Sequence, residues 1–279
     1  MHPYLIADVF TDVPLHGNQL AVFTDAGGLS DEMMQLTARE MNLSETVFVL
    51  SATDGADARA RIFTPVTELP FAGHPVLGTA FVIGERLGRD VVRLQTGAGV
   101  IPVALAREDG QVVYGEMDQP IPDEEPFAGV GELLSALHVS GAALPIEAYR
   151  NGPLHVYVAL ESEAAVTALA PDLGALAALG AVGVSCFAIE GGNVKTRMFA
   201  PGLGVAEDPA TGSAAGPLAL HLVRHGRLEL GRKVEIRQGV EIGRPSLLHA
   251  RVEGSRGRIE RVVVGGSAVI VARGEYRLS

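Results

Sequence analysis

Apolar and polar positions alternate over short stretches through most of the chain, beginning with MHPYLIADVF. A period of two marks a strand with one buried face, and it predicts strands at about 4–10, 19–23, 46–50, 59–63, 91–95, 100–106 and 112–117. The second half reads alike, with strands at 148–150, 155–159, 182–189, 194–199 and 233–238 and a closing set at 247–252, 259–264 and 267–273. Helices are fewer. One fits 31–41, capped by Ser30 with Asp31 and Glu32 in its first turn, and shorter ones fit 131–138 and 161–169. Two segments follow neither pattern. Residues 75–87, PVLGTAFVIGERL, and 214–223, AAGPLALHLV, are apolar on nearly every face, so each predicts a helix buried all round and wrapped by strands.

Each of these helices is preceded by a version of one motif. Residues 61–74 read RIFTPVTELPFAGH and residues 197–213 read RMFAPGLGVAEDPATGS. Arg61, Phe63 and Pro65 recur as Arg197, Phe199 and Pro201; after a short insertion, Glu68, Pro70 and Gly73 recur as Glu207, Pro209 and Gly212. Self-similarity at so long a period predicts two like domains rather than a solenoid, with the cleft between them as the natural place for chemistry. Gly73 and Gly212 let backbone come close to a ligand, and Pro75 suits a first helical turn, where its missing N–H costs nothing. Two helix N-termini then offer free N–H groups to an anion such as a carboxylate. The competing reading is that both glycines serve turns only.

Composition narrows the classes. A chain of 279 residues with 47% hydrophobic and 20% charged residues suits two ordinary globular domains and excludes disorder. A net charge of −11 without a Lys/Arg cluster argues against nucleic acid or an anionic membrane surface as partner. Cys186 is alone, in the apolar run VGVSCFAI, so it predicts a buried inert thiol. No basic leader precedes the first strand, and the longest weakly polar stretch, 174–189, is too short and glycine-rich to span a bilayer, so the chain is expected in the cytoplasm. No metal-ligand set, P-loop or dinucleotide fingerprint is read, so no metal and no cofactor are expected. Residues 117–130, MDQPIPDEEPFAGV, form the linker candidate, dividing the chain into domains 1–120 and 121–279. Whether the last strands return to the first domain is left open.

At AREMNLSETVFV (38–49), RIFTPVTELPFAGHPVLGTA (61–80), MDQPIP (117–122), EDPATGSAAGPLA (207–219) and QGVEIGRPS (238–246) the chain resembles the PhzF-like phenazine-biosynthesis isomerases, and it does so nearly end to end. These belong to the diaminopimelate-epimerase-like fold. The resemblance implies an α+β fold of two similar domains related by a pseudo-two-fold, each a curved sheet or barrel around a buried central helix. It also implies a homodimer and a small-molecule carboxylate substrate. By position, Glu45 matches the family's acid/base residue, His74 and Asp208 the polar groups that meet it, and Ser44, Gly73, Gly212 and Ser213 the substrate-binding groups. One departure is Gln19 in GNQLAVF, where the family has proline. The thiols of the epimerase relatives are replaced by Ala72 and Thr211, so two-base racemisation is not available and a single carboxylate must do the proton work.

Chemistry agrees with that division. Glu45 stands at the mouth of a predicted strand beside Leu43 and Val47, where partial desolvation is expected to raise its pKa and strengthen it as a base. A carboxylate can take a proton that is allylic and conjugated with a carboxyl-bearing diene, as in trans-2,3-dihydro-3-hydroxyanthranilate, the substrate the resemblance implies. Returned to another ring carbon, the same proton yields an enol that becomes the aminoketone precursor of phenazines. Two other readings stay open: an isomerase or epimerase of another small carboxylate on this fold, and a non-catalytic small-molecule-binding protein.

Overall fold

The computed structural model describes residues 1–53, 55–255 and 257–278, and strands dominate it. Internal contacts divide the chain into one unit of Met1–Asp118 with Gly265–Ser279 and a second unit of Gln119–Val264.

In the first unit the strand Asn18–Phe23 runs antiparallel to His2–Val9, with Leu5 opposite Val22, and parallel to Glu45–Leu50, with Leu20 opposite Glu45. Glu45–Leu50 is antiparallel to Ala58–Phe63, which pairs antiparallel with Glu68–Leu69 and parallel with Val91–Thr96. That last strand turns back into Gly99–Glu108. Phe23, Phe48 and Phe63 fill the space under the helix Asp31–Met41, with the first two rings stacked at 5.0 Å. Through the middle runs the helix Gly73–Leu87, every residue of it buried from Gly73 to Gly84. Strands on all sides take up its apolar faces, so it needs no polar one.

The second unit repeats this wiring. Leu154–Ala159 is antiparallel to Glu147–Arg150 and parallel to Val182–Glu190, which is antiparallel to Asn193–Ala200. Asn193–Ala200 pairs antiparallel with Val205–Asp208 and parallel with Val234–Gln238, which turns back into Ser246–Ser255. The order and sense of pairing match the first unit strand for strand. Its helix, Gly212–Arg224, is buried from Gly212 to Leu222.

Several expectations change in detail. The buried helices begin at Gly73 and Gly212 rather than at 75 and 214; in the first of them Pro75 lies within the first turn, where its missing N–H has no helical partner to lose. The predicted helix 161–169 shortens to Glu163–Thr167, capped by Ser162, and a further short helix, Leu173–Ala178, capped by Asp172, follows where none was expected. The linker candidate contains a strand, Asp123–Glu125, paired with Glu147–Arg150. Its acidic run carries no hydrophobic alternation, so it reads as a connection. The strand Ala268–Tyr276 pairs with His2–Val9, Ile6 opposite Ala272, which puts the C-terminal strand in the first unit. No described helix is long and apolar enough to cross a membrane.

Candidate active site

The repeated motif folds into the same device in both units. Arg61 Nε and Nη2 each lie 2.7 Å from one carboxylate oxygen of Glu68, on the neighbouring strand, and its guanidinium covers the Phe63 ring at 5.1 Å. Arg197 forks onto Glu207 with both contacts at 2.8 Å and covers Phe199 at 5.0 Å. A two-pronged guanidinium–carboxylate pair fixes direction as well as distance, so each fork sets the course of the turn that follows it. Those turns deliver Gly73 and Gly212 to the starts of the buried helices. The residues that precede them, Ala72 and Thr211, are the N-caps.

In the first unit the helix Asp31–Met41 is closed by Asn42 in the left-handed conformation, φ 51°, whose N–H bonds Ala38 O. The chain then passes the half-buried Ser44 and enters its strand at Glu45. One Glu45 carboxylate oxygen lies 3.5 Å from His74 Nε2, and the two side chains are only 15% and 4% exposed. The other ring nitrogen of His74 is 3.3 Å from Asn18 Nδ2. Asn18 opens its strand after Gly17, which has φ 65° and no room for a Cβ: one would stand 2.4 Å from Val9 O. Burial pushes the His74 pKa down to about 3, against the pull of a hydrogen bond to the Gln19 backbone. The imidazole is therefore neutral near pH 7, and it presents Glu45 with a dipole and not a full charge. Gln19 acts here through its main chain, so the departure from proline leaves the His74 contact in place.

In the second unit Asp208 closes the strand Val205–Asp208 and is 5% exposed. Thr211 Oγ1 donates to its carboxylate at 2.6 Å. Gln238 braces the same turn, donating through Nε2 to Asp208 O at 2.7 Å and to Thr211 Oγ1 at 3.0 Å, and accepting from Thr211 N at 3.2 Å. Gly239 follows with φ 78°, and a Cβ there would stand 2.6 Å from Pro209 O. The sequence pair Gln238-Gly239 thus exists to clasp the Asp208 turn.

Behind Gly212 lies a second set of braces. Pro217, inside the helix, has no N–H for the carbonyl of Ser213, and Asn151 Nδ2 supplies a donor at 3.3 Å. Gln119 Nε2 donates to Gly212 O at 2.8 Å, and Tyr157 Oη to Ala214 O at 2.8 Å. Asn151 also donates to Gln119 Oε1 at 2.8 Å, and His155 Nε2 stands 3.1 Å from Ser213 Oγ. Burial takes the His155 pKa down to about 4, so this ring too is neutral near pH 7. With the first-turn carbonyls held from behind, the N–H groups of Gly212 and Ser213 have no helical partner and keep a fixed direction.

Of the residues singled out in the sequence, the structure brings Glu45 and His74 into contact and places Ser44 and Gly73 next to them in the chain. It gathers Asp208, Gly212 and Ser213 around one turn of the second unit. The braces were not read from the sequence: Asn18, Gln119, Asn151, His155, Tyr157 and Gln238. Weak signals exist in Gly17-Asn18, Asn151-Gly152 and Gln238-Gly239, where a polar side chain adjoins a glycine at a turn.

Residues 7–274 match the family of phenazine biosynthesis-like proteins, PhzC-PhzF. The chain belongs to this family. It is 54% identical over 278 residues to the trans-2,3-dihydro-3-hydroxyanthranilate isomerase of Pseudomonas aeruginosa, covering 100% of each chain. A solved structure described as a predicted epimerase from the same organism superposes with a TM-score of 0.86 at 34% identity, again over 100% of each chain. A probable proline racemase from Agrobacterium radiobacter superposes with a TM-score of 0.72 at 13% identity, covering 100% of this chain and 94% of that one, which shows a shared fold alone.

Proposed function

We propose that this family member isomerises trans-2,3-dihydro-3-hydroxyanthranilate to the aminoketone precursor of phenazines without a cofactor. The observation that carries the reading is the 54% identity over the whole of both chains to the Pseudomonas aeruginosa enzyme of that name. Glu45 takes the allylic proton from C3, the electrons shift through the carboxyl-bearing diene, and the acid formed on Glu45 returns the proton to another ring carbon. The resulting enol tautomerises to the ketone, so no atom is gained or lost. Neutral His74, 3.5 Å from Glu45, orients that carboxyl without fixing its charge. Asp208 contributes a second polar group, held in direction by Thr211 and Gln238. In this reading the groups for the substrate carboxylate are the helix starts, Gly73 with Ser44 in the first unit and Gly212 with Ser213 in the second, where unpaired N–H groups and the helix dipole favour negative charge.

The same reading takes the protein as a cytoplasmic homodimer, on the family resemblance. Incubating the purified chain with the dihydro-hydroxyanthranilate, while following loss of substrate absorbance and growth of coloured tricyclic product, tests the activity. No turnover with that substrate would move the assignment to another small carboxylate on this fold.

A further inference from the structure

Away from the proposed catalytic groups, the far end of the buried helix in the second unit carries a cluster that the isomerisation does not use. Glu147 opens the strand Glu147–Arg150, while His221 and His225, in the run HLVRH, lie one helical turn apart on the same face at the end of Gly212–Arg224. We propose that Glu147, His221 and His225 bind a transition-metal dication of the zinc class.

The donor geometry carries this. One ligand atom from each residue can be chosen so that all lie within 4.8 Å of one another. His221 Nδ1 is 3.1 Å from Glu147 Oε2, and His225 Nε2 is 3.1 Å from Glu147 Oε1. Two ligands each about 2.1 Å from a tetrahedral zinc ion stand about 3.4 Å apart, so each His–carboxylate separation of 3.1 Å would open by a few tenths of an ångström around an ion. Two imidazoles and one carboxylate with a fourth position open to water are a donor set that zinc accepts. Among O-donor cations, calcium and magnesium would find one carboxylate and two nitrogens, a poor match.

Surrounding groups hold the ligands in place. The Tyr149 hydroxyl donates to Glu147. His221 is stacked over Tyr157 at 5.8 Å and meets Phe187 edge-on at 5.9 Å, so its ring cannot turn freely. Its burial favours the neutral ring, the form with a lone pair to give. His221 is fully buried, whereas the side chains of His225 and Glu147 are 19% and 22% exposed and give an ion its way in. The opposing charge is Arg224, 3.4 Å from the Tyr149 hydroxyl, and Glu124 pairs with it at 2.5 Å. The sequence reading expected no metal, although His221 and His225 stand at the His-x-x-x-His spacing of two ligands on one helix face; the third ligand lies 74 residues from His221 and no spacing signals it. At a rise of about 1.5 Å per residue the site stands roughly 13 Å along the helix from Gly212, so it is not part of the carboxylate turn.

The test uses the whole chain, stripped with a chelator and dialysed. Calorimetric titration with zinc chloride should show one equivalent bound per chain at micromolar affinity or tighter. Cobalt(II) in its place should give the intense visible bands of four-coordinate geometry. Glu147→Gln and His225→Asn, checked for native far-UV circular dichroism, should each weaken zinc binding by at least about tenfold, while His74→Gln leaves it unchanged. No binding up to millimolar zinc, no four-coordinate cobalt spectrum, or equal affinity in both ligand variants would show that Glu147 and the two histidines form a hydrogen-bonded cluster and nothing more.

Discussion

One carboxylate oxygen of Glu45 lies 3.5 Å from an imidazole that burial keeps neutral, so the proposed proton chemistry would rest on a single acid. Glu45→Gln preserves size and hydrogen bonding but removes the basic oxygen. Its kcat should fall at least about a hundredfold with the fold intact, as measured by substrate consumption and circular dichroism; near wild-type turnover would remove Glu45 from the role. Gly212 is tested by binding. Gly212→Val puts a branched side chain where the proposed carboxylate would approach backbone, so titration with 3-hydroxyanthranilate should show a loss of affinity larger than the fall in Tm from filling a buried position explains. The native protein should also prefer that acid over its neutral amide, and equal affinities would reduce the glycine turns to structural elements. Cys186, whose pKa burial pushes up to about 12, should be silent: Cys186→Ser and thiol alkylation leave turnover unchanged.

At the scale of elements, the start of the helix Gly212–Arg224 depends on a substitution of donors. Pro217 withholds the N–H that would serve Ser213 O, and Asn151 replaces it from a neighbouring segment. Asn151→Ala should therefore cost about 1–3 kcal/mol in urea unfolding, the penalty of a buried carbonyl left without a donor. In a Pro217→Ala background the helix regains its own N–H and the same change should cost less, a coupling that a double-mutant cycle measures directly. Strict additivity would show that the carbonyl was never at stake. This brace also explains where legibility in the sequence stopped. The buried helices were legible because apolar residues on every face admit few other environments, and the Arg-x-Phe-x-Pro repeat was legible because its residues recur in order. His74 stood out at the end of the first copy of that repeat, and Glu45 through the family motif at 38–49. Gln119, Asn151 and Gln238 did not, since each acts on a residue tens of positions away, |i−j| of 93, 62 and 30 for the contacts they make, and no local period carries such information. The strand Asp123–Glu125 was hidden for a similar reason: partner-strand pairing and charge contacts, Arg150 onto Glu125 among them, hold it in place of a hydrophobic face.

For the molecule as a whole, buried histidines couple stability to acid, His74 and His155 most strongly and His221 in the same direction. His74 and His155 have folded-state pKa values of about 3 and about 4, against an ordinary 6.5. Between those values and 6.5 the unfolded chain binds more protons than the native one, so stability must fall as pH drops through that window and is fully present above it. Urea unfolding at steps from pH 7 to pH 4 should show this decline, and His155→Asn should flatten it; a flat profile in the native protein would mean that the rings are not buried as neutral species. The wiring of the strands has a further consequence, for synthesis. The second unit is one uninterrupted stretch, Gln119–Val264, whereas the first waits for Ala268–Tyr276 to cover the open side of His2–Val9. On the ribosome, the half made first is therefore completed last. Until Ala268–Tyr276 emerges, the nascent chain carries an exposed β-edge at His2–Val9, and that interval is when a chaperone has most to do.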